Sequence, residues 1–338
     1  MRKLSKVFLA MVMVASLVGC GNTVNQEVAT VTETAQTTKE DQEGVYPVTI
    51  TNYNYEKEQI PVTFEKAPEK VFCLYQNSIE IMLALGLEDH IVAAAGLDHP
   101  VKPEYREAFE KVNYLSDFEP SKEAVLMLEP DFILSWMSPF SEKKLGDVDF
   151  WHERGVNTYM AANSNSLVEN RTLENEYKYI LEIGQIFNVE ERAQALVDEI
   201  KGQVEAVNAK AEGKAAEDVL IMEFMDDSIW VYGPDTLGGN MVTALGGNVM
   251  DVEGGTIGLE DLISMNPDAI FVVYMDETGE SEGKKEVDEV MNNSALASLK
   301  AIQNGRVYGM PLGEMYAAGI RTLDGVNRFA KGMYPEMQ

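Results

Sequence analysis

The chain has 338 residues, which is enough for about two domains of roughly 150 residues each. It carries 27 Lys and Arg against 56 Asp and Glu, for a formal net charge of −29. Such an acidic surface repels the phosphates of nucleic acids and of anionic lipid headgroups, so we exclude nucleic acid as a partner.

Residues 1–19 have the pattern of a signal peptide, because basic residues precede an apolar stretch over 7–18. Leu-Val-Gly-Cys at 17–20 resembles the bacterial lipobox, in which a small residue admits the peptidase and the thiol accepts a diacylglycerol. The apolar stretch is shorter than a bilayer span, which disfavours the alternative of an uncleaved membrane anchor. We expect Cys20 to be the lipidated N-terminus and 20–45, polar and without aromatic residues, to be a flexible tether.

Strands and helices alternate after the tether, which predicts a doubly wound N-terminal α/β lobe over 46–187. With Cys20 acylated, Cys73 has no partner for an intramolecular disulfide, and its apolar strand predicts a core position. The predicted strands are 71–75, 91–95, 132–136 and 157–160, and the predicted helices are one that ends at Gly86, one near 104–111, one over 121–128 and one that ends at Arg154.

Two helices interrupt this alternation, one at about 172–187 and a longer one that continues to Lys210. Asn188 is placed to cap the longer helix, with Glu191 returning the bond. The second helix would span roughly 33 Å at 1.5 Å per residue, enough to connect two lobes as a stiff rod. We therefore assign 188–212 to a long connecting helix and 213–338 to a C-terminal α/β lobe.

The segment KEAVLMLEPDFIL at 122–134 returns as LEDLISMNPDAIF at 259–271. In both copies a Glu opens a short helix, a Pro-Asp pair ends it, and an apolar strand follows. A strand that is apolar on both faces belongs in a buried parallel sheet. A helix ending in Ala-Leu-Gly precedes each copy, at 82–86 and 241–246. The repeat predicts two related lobes.

Ligands of doubly wound sheets bind beyond the carboxyl ends of the strands, so these ends should line a cleft between the lobes. Several predicted strands finish in an aromatic residue, a Met, or both. Core packing is the commoner outcome for any one of them, but their recurrence at strand ends favours a pocket. The candidate ligand-binding residues are Tyr75, Gln76, Trp136, Met137, Arg171, Met225, Tyr274, Met310 and Tyr316.

Arg171 is the most informative charge in this set, since it follows a polar loop at 163–166 in a chain with few basic residues. Its guanidinium could pair with a chelate oxygen or a propionate. The alternative is a solvated arginine in the first turn of the 172–187 helix. Arg321 is a second, weaker candidate.

Three histidines, His90, His99 and His152, are too few for direct capture of zinc or manganese, so we expect no metal site. His99 follows the second strand and could reach the cleft as a haem ligand, although a solvated loop histidine is commoner. The chain has no G-x-S-x-G elbow, no G-x-G-x-x-G after a strand and no P-loop. We expect a binding protein without a cofactor; an extracytoplasmic enzyme is a remote alternative, and a scaffolding lipoprotein would not require a cleft.

The lipobox, the tether, the two related lobes and the single long connector together resemble the cluster III substrate-binding lipoproteins of ABC importers, which carry ferric siderophores, haem or vitamin B12. Pro-Glu-Lys-Val at 68–71 and Asn-Gly-Arg-Val-Tyr at 304–308 belong to the same resemblance. It implies an α/β fold of two doubly wound lobes joined by one long α-helix, with the ligand cleft between them. It also implies a monomer, lipid-anchored on the extracytoplasmic face of the bacterial cell membrane.

The resemblance gives the opening glutamates of the repeat, Glu123 and Glu260, a role in docking to arginines of the permease dimer. The alternative is that each carboxylate only complements its helix dipole, which contributes about 0.3 to 1 kcal/mol. Relatives that bind catecholates gather several basic residues in the cleft, and this chain has no such cluster. The expected ligand is an iron chelate of low net charge, such as a hydroxamate siderophore, with haem or a corrinoid (cobalamin) as the alternative.

Overall fold

The computed structural model describes residues 45–164, 167–225, 228–275 and 280–337. The predicted signal peptide, Cys20 and all of the tether before Val45 lie outside the described residues. Within these ranges no helix is both long enough and apolar enough to cross a bilayer.

The N-terminal lobe is a parallel four-stranded sheet in the order β4-β3-β5-β6, preceded by an antiparallel hairpin of β1 and β2. Its elements are β1 (Val48–Tyr53), β2 (Gln59–Phe64), β3 (Val71–Leu74), α1 (Gln76–Ala84), β4 (Ile91–Ala95), α2 (Arg106–Phe109), α3 (Lys122–Met127), β5 (Phe132–Ser135), α4 (Val148–His152) and β6 (Asn157–Met160).

Strands β3 and β5 are buried along their whole length, as their uninterrupted apolar runs predict. Cys73 lies in β3, and burial raises the pKa of its thiol far above the ordinary value. This thiol is therefore an inert part of the core.

Helix α5 (Leu173–Ile186) is followed by the helix that joins the lobes, α6 (Glu190–Ala211). Near the start of α6, Arg192 Nη1 donates a hydrogen bond of 2.8 Å to the Leu85 carbonyl at the end of α1. Near its end, Asn208 Nδ2 donates to the Ala244 carbonyl of the C-terminal lobe, also at 2.8 Å. This 22-residue helix therefore crosses from one lobe to the other and touches both Ala-Leu-Gly helix ends.

The predicted cap of the connecting helix is wrong. Asn188 has a φ of 55° and its backbone closes the preceding helix, while Val189 stands at the N-cap without a side-chain bond. Because Asn tolerates the left-handed conformation, it serves here as the turn between α5 and α6 rather than as the start of α6.

The C-terminal lobe has a mixed sheet in the order β10-β8-β7-β11-β12, with β9 beside the first residues of β7. The core strands β7, β11 and β12 are parallel, and β8 returns antiparallel to β7. The elements are β7 (Asp218–Met225), β8 (Ser228–Val231), α7 (Leu237–Ala244), β9 (Asn248–Val249), β10 (Thr256–Ile257), α8 (Leu259–Met265), β11 (Ala269–Tyr274), α9 (Glu280–Met291), α10 (Lys300–Gln303), β12 (Val307–Pro311) and α11 (Thr322–Met333).

Candidate functional site

A cleft lies between the two lobes at the carboxyl ends of their parallel strands, where the topology predicts a ligand site. The N-terminal lobe contributes residues that follow β3, β4 and β5, and the C-terminal lobe contributes residues that follow β11 and β12. The cleft is lined by Gln76, Asn77, Asp98, His99, Trp136, Met275, Leu312, Gly313, Tyr316, Ala317 and Ala318.

A row of aromatic rings crosses the cleft. The ring centroids of Tyr75 and Trp136 are 4.8 Å apart, and those of Trp136 and Tyr316 are 5.7 Å apart. The Arg171 guanidinium lies 5.3 Å from the centre of the Tyr316 ring, within the range of a cation–π contact. The row therefore offers broad apolar faces from both lobes and one cation at its end.

The turn from β3 into α1 places two amide side chains at this row. Tyr75 has a φ of 76°, a conformation that costs a non-glycine residue on the order of 1–3 kcal/mol. After it, Gln76 and Asn77 open α1 and face the cleft with only 5% and 3% of their surface exposed. Such a strained turn between a buried strand and a helix is typical of functional sites.

These amides are incompletely hydrogen bonded. Neither the amide nitrogen nor the oxygen of Gln76 has a partner among the described residues. Asn77 Oδ1 accepts from Trp136 Nε1 at 2.7 Å, but its Nδ2 has no partner there. A buried polar group without a partner costs about 1–3 kcal/mol, so the cleft carries an unfavourable feature that a polar ligand would relieve.

A second, larger cavity adjoins the cleft through Tyr316, which lines both. The cleft itself holds about 30 Å³, room for one or two waters, whereas the second cavity holds about 560 Å³. The larger volume is in the range of small-molecule sites. It is lined by Arg171, Trp230, Val231, Tyr232, Gly233, Asp235, Thr236, Asp251, Val252, Gly255 and Tyr316.

Arg171 is held at this cavity by its backbone, since its N–H donates to the Asp235 carbonyl at 2.9 Å. Within the described residues its guanidinium contacts the Tyr316 ring and forms no ion pair, which leaves the charge available to an anionic group. Nearby, Tyr232 donates to Glu223 Oε2 at 2.5 Å, and burial together with this bond raises the pKa of the phenol far above its ordinary value. Tyr232 therefore remains a neutral wall residue.

The same two lobes also meet through a polar contact that we call the interlobe seam, formed by Glu80, Lys102, Glu176, Arg321 and Asp324. Arg321 Nε and Nη2 donate to the two Glu80 oxygens, each at 2.7 Å; the Glu80 side chain is fully buried and that of Arg321 is 11% exposed. Lys102 donates from its backbone to Glu80 at 2.9 Å and from Nζ to Asp324 at 2.8 Å.

Glu176 occupies the fully buried part of the seam. Its Oε1 accepts from Asn163 Nδ2 of the N-terminal lobe and its Oε2 from the Gly319 N–H of the C-terminal lobe, each at 2.7 Å. Burial raises the pKa of this carboxyl to about 7, against the opposing effect of the two hydrogen bonds. The group therefore titrates near neutral pH.

The structure brings together only part of the predicted ligand-binding set. Gln76, Trp136 and Tyr316 line the cleft, Tyr75 stacks on Trp136, and Arg171 lies at the second cavity. The histidine considered as a haem ligand, His99, also lines the cleft. Whether these residues contact a ligand stays a prediction.

The other members of the set lie elsewhere. Tyr274 packs against Gly283 and Gly309 in a separate pocket, because neighbouring residues of a strand point to opposite faces and the next residue, Met275, faces the cleft. Met310 is fully buried in the core.

Met137 and Met225 are also outside the cleft lining. Met137 packs against the N-terminal core, with its backbone N–H donating to Ser164 Oγ. Met225 is half exposed at the end of β7, where an unpredicted hairpin with β8 extends the strand. The weaker cation candidate, Arg321, lies in the seam, where its side chain donates to Glu80.

Sequence reasoning missed several lining residues. Asn77 is the chain neighbour of the predicted Gln76, and Asp98 is the chain neighbour of His99, the candidate haem ligand. Trp230 lies on β8, an element that the sequence pattern did not predict. No group of three or more His, Cys, Asp or Glu side chains that could hold a metal ion occurs among the described residues.

The two repeated glutamates are exposed at the second positions of α3 and α8. Other side chains cap these helices: Ser121 accepts from the Ala124 N–H at 3.2 Å, and Asp261 accepts from the Gly258 N–H at 3.1 Å. In the described residues neither the Glu123 nor the Glu260 carboxylate has a hydrogen bond or an ion pair. Within the described residues, both carboxylates are therefore available to interact with another molecule.

Comparison with known proteins identifies the family to which this architecture belongs. A family model described as periplasmic binding protein matches residues 71–312. The chain is 26% identical to an uncharacterized ABC transporter substrate-binding lipoprotein of Bacillus subtilis, YvrC, over 99% of both chains, and 24% identical to the petrobactin-binding protein YclQ of the same organism over 94% of both. A crystal structure of a periplasmic binding protein from Veillonella parvula is 35% identical, with a TM-score of 0.80 over 86% of this chain and 92% of that one.

Proposed function

Because the chain belongs to the periplasmic binding proteins of cluster III, we propose that it is the substrate-binding lipoprotein of an ABC importer that captures an iron chelate and delivers it to the permease. The observation that carries the proposal is the cleft, whose lining combines aromatic rings from both lobes with the buried Gln76 amide, which has no partner in the described residues. A relative of Vibrio anguillarum that is named ferric-anguibactin-binding protein supports an iron chelate as the ligand class.

The chemistry of the cleft favours a chelate of low net charge. Tyr75, Trp136 and Tyr316 offer apolar faces, and Arg171 offers one cation without a second beside it in the cavity lining. A primary amide both donates and accepts, so Gln76 suits a ligand that presents a hydrogen-bond acceptor and a donor close together. Haem or a corrinoid is the alternative, supported by the position of His99.

Ligand entry requires a wider cleft than the one described, since about 30 Å³ admits no chelate. Tyr316 separates this small space from the cavity of about 560 Å³. We place the chelate in the larger cavity against Tyr316 and Arg171, with Gln76 reached as the Tyr316 ring or the lobes move apart.

Two further features support the proposed delivery to a membrane permease. The exposed carboxylates of Glu123 and Glu260, which have no partner among the described residues, suit docking to basic groups of a permease dimer. Cys20 would anchor the chain by lipid to the extracytoplasmic face of the membrane. We propose a monomer that binds its ligand without chemical turnover.

Calorimetric titration tests the ligand class. We expect tight binding of a ferric hydroxamate, weaker binding of a ferric catecholate, haem or cobalamin, and recovery of the bound ligand unchanged. Trp136→Ala and Arg171→Ala should each weaken binding at least tenfold, while Arg106→Ala, an exposed arginine outside the cleft, should not. Tight catecholate binding that neither substitution affects would overturn both ligand and site, and no binding of any of the four would overturn the chelate class.

A further inference from the structure

The repeated helices α3 and α8 share an exposed aliphatic residue as well as a glutamate. Aligned on their Pro-Asp pairs, Glu123 matches Glu260, and three positions later Leu126 matches Ile263. Each of these two aliphatic side chains is 36% exposed. The repeat thus conserves within one chain an apolar side chain that faces solvent.

Core packing does not account for this pair. The helices are anchored by the preceding residues, Val125 and Leu262, which are both fully buried. Met127 extends the exposed apolar surface on α3, at 85% exposure, and Leu259 extends it on α8, at 41%. Among the described residues, four of the nine exposed large hydrophobic side chains lie on these two short helices. Such concentration marks an interaction surface.

The spacing places each aliphatic side chain beside its glutamate, because residues three apart are neighbours on one face of a helix. We call Glu123, Leu126 and Met127 the α3 patch, and Leu259, Glu260 and Ile263 the α8 patch. Each patch combines one carboxylate without a protein partner in the described residues with two exposed apolar side chains.

We propose that the two patches are mixed docking surfaces whose apolar side chains insert against equivalent sites on the two subunits of the permease dimer. The inference rests on the proposed function. Exposed ion pairs contribute little to affinity and are screened by salt, so two glutamates alone give orientation and association rate but a short residence time. Burial of Leu126 and Ile263 against the permease supplies a contribution to the docking free energy that does not depend on salt. A partner built from two identical subunits explains why both lobes carry the same arrangement.

Binding of the full-length, ligand-loaded protein to its permease in lipid nanodiscs tests the proposal at low and high salt. The double variant Leu126→Ser/Ile263→Ser should lose at least tenfold in docking affinity at both salt concentrations, with unchanged ligand affinity. Glu123→Gln/Glu260→Gln should lose affinity mainly at low salt. Leu196→Ser, a partly buried leucine of α6 outside both patches, is the matched control for lost apolar contact and should dock normally.

The outcomes separate the inference from the function beneath it. If the glutamate variant docks poorly and the Leu126→Ser/Ile263→Ser variant docks as well as the wild type, the apolar contribution is overturned while permease docking stands. If neither variant affects docking, the docking role of both helices is overturned. If the free wild type sediments as a dimer that the Leu126→Ser/Ile263→Ser variant abolishes, the patches serve self-association and the inference is overturned.

Discussion

The two lobes meet at two polar surfaces, the interlobe seam and the cleft, and these differ in how completely their buried groups are paired. In the seam, Glu80 accepts two hydrogen bonds from Arg321 of the opposite lobe, and Glu176 accepts one hydrogen bond from each lobe. In the cleft, the Gln76 amide has no partner among the described residues. Because burial penalises both kinds of group, the difference separates polar residues that hold the lobes together from those available to a ligand.

Breaking the central pair of the seam should have the largest effect on stability. Glu80→Gln leaves the Arg321 guanidinium buried with a neutral partner, and loss of one member of a buried ion pair costs about 3–5 kcal/mol. Urea denaturation measures the free energy of unfolding. The double variant Glu80→Leu/Arg321→Met should recover most of the loss, because it removes both charges. A stability of Glu80→Gln equal to that of the wild type would contradict a structural role for the pair.

Glu176 should give the seam a pH dependence. Its folded pKa of about 7 lies above the ordinary 4.5, so the folded state binds the proton more tightly. The stabilising contribution is fully present below pH 4.5 and is lost as the pH rises through 7, a change of roughly 3 kcal/mol. Urea denaturation at pH values from 4 to 8 should show this decline in the wild type and in Glu174→Gln, an exposed control on the same helix, but not in Glu176→Gln. If the free energy of unfolding depends on pH in the same way in all three proteins, Glu176 is not the group that titrates.

A substitution in the cleft should have the opposite effect: it should weaken ligand binding and leave the free energy of unfolding unchanged or higher. Gln76→Leu replaces an amide that lacks partners by an apolar group of similar size, so the free energy of unfolding should stay level or rise by about 1 kcal/mol. Affinity for a ferric hydroxamate should fall at least tenfold, measured by calorimetry. Gln185→Leu, on the exposed face of α5, is the matched control for the substitution. A large stability loss in Gln76→Leu would show that Gln76 belongs with the seam.

The outer pair of the seam should show the smallest effect. Lys102 and Asp324 are joined at 2.8 Å, but the carboxylate is about one-third exposed. Pairs in contact with solvent contribute about 0.2–1 kcal/mol, so Lys102→Met should cost near 0.5 kcal/mol in urea denaturation. A loss as large as that of Glu80→Gln would mean that the seam acts as one coupled network, which a double-mutant cycle would reveal.

Local chemistry was sufficient to predict much of the fold. Pro130 and Pro267 end their helices whatever surrounds them, and the apolar strands that follow are buried on both faces, as their sequence pattern indicates. The short strands β8, which carries Trp230, β9 and β10 were missed, because two- to four-residue strands carry too few residues for a periodic signal.

The sequence by itself determined the two α/β lobes, the long helix between them and the strand ends at which a ligand site should form, since these depend on neighbouring residues and on periodicity. Only the tertiary structure decided which strand-end side chains face the cleft, as Met275 does and Tyr274 does not. It also decided that Arg321 pairs with Glu80, 241 positions away. Contacts of such sequence separation depend on how the lobes meet, and no local pattern encodes that geometry.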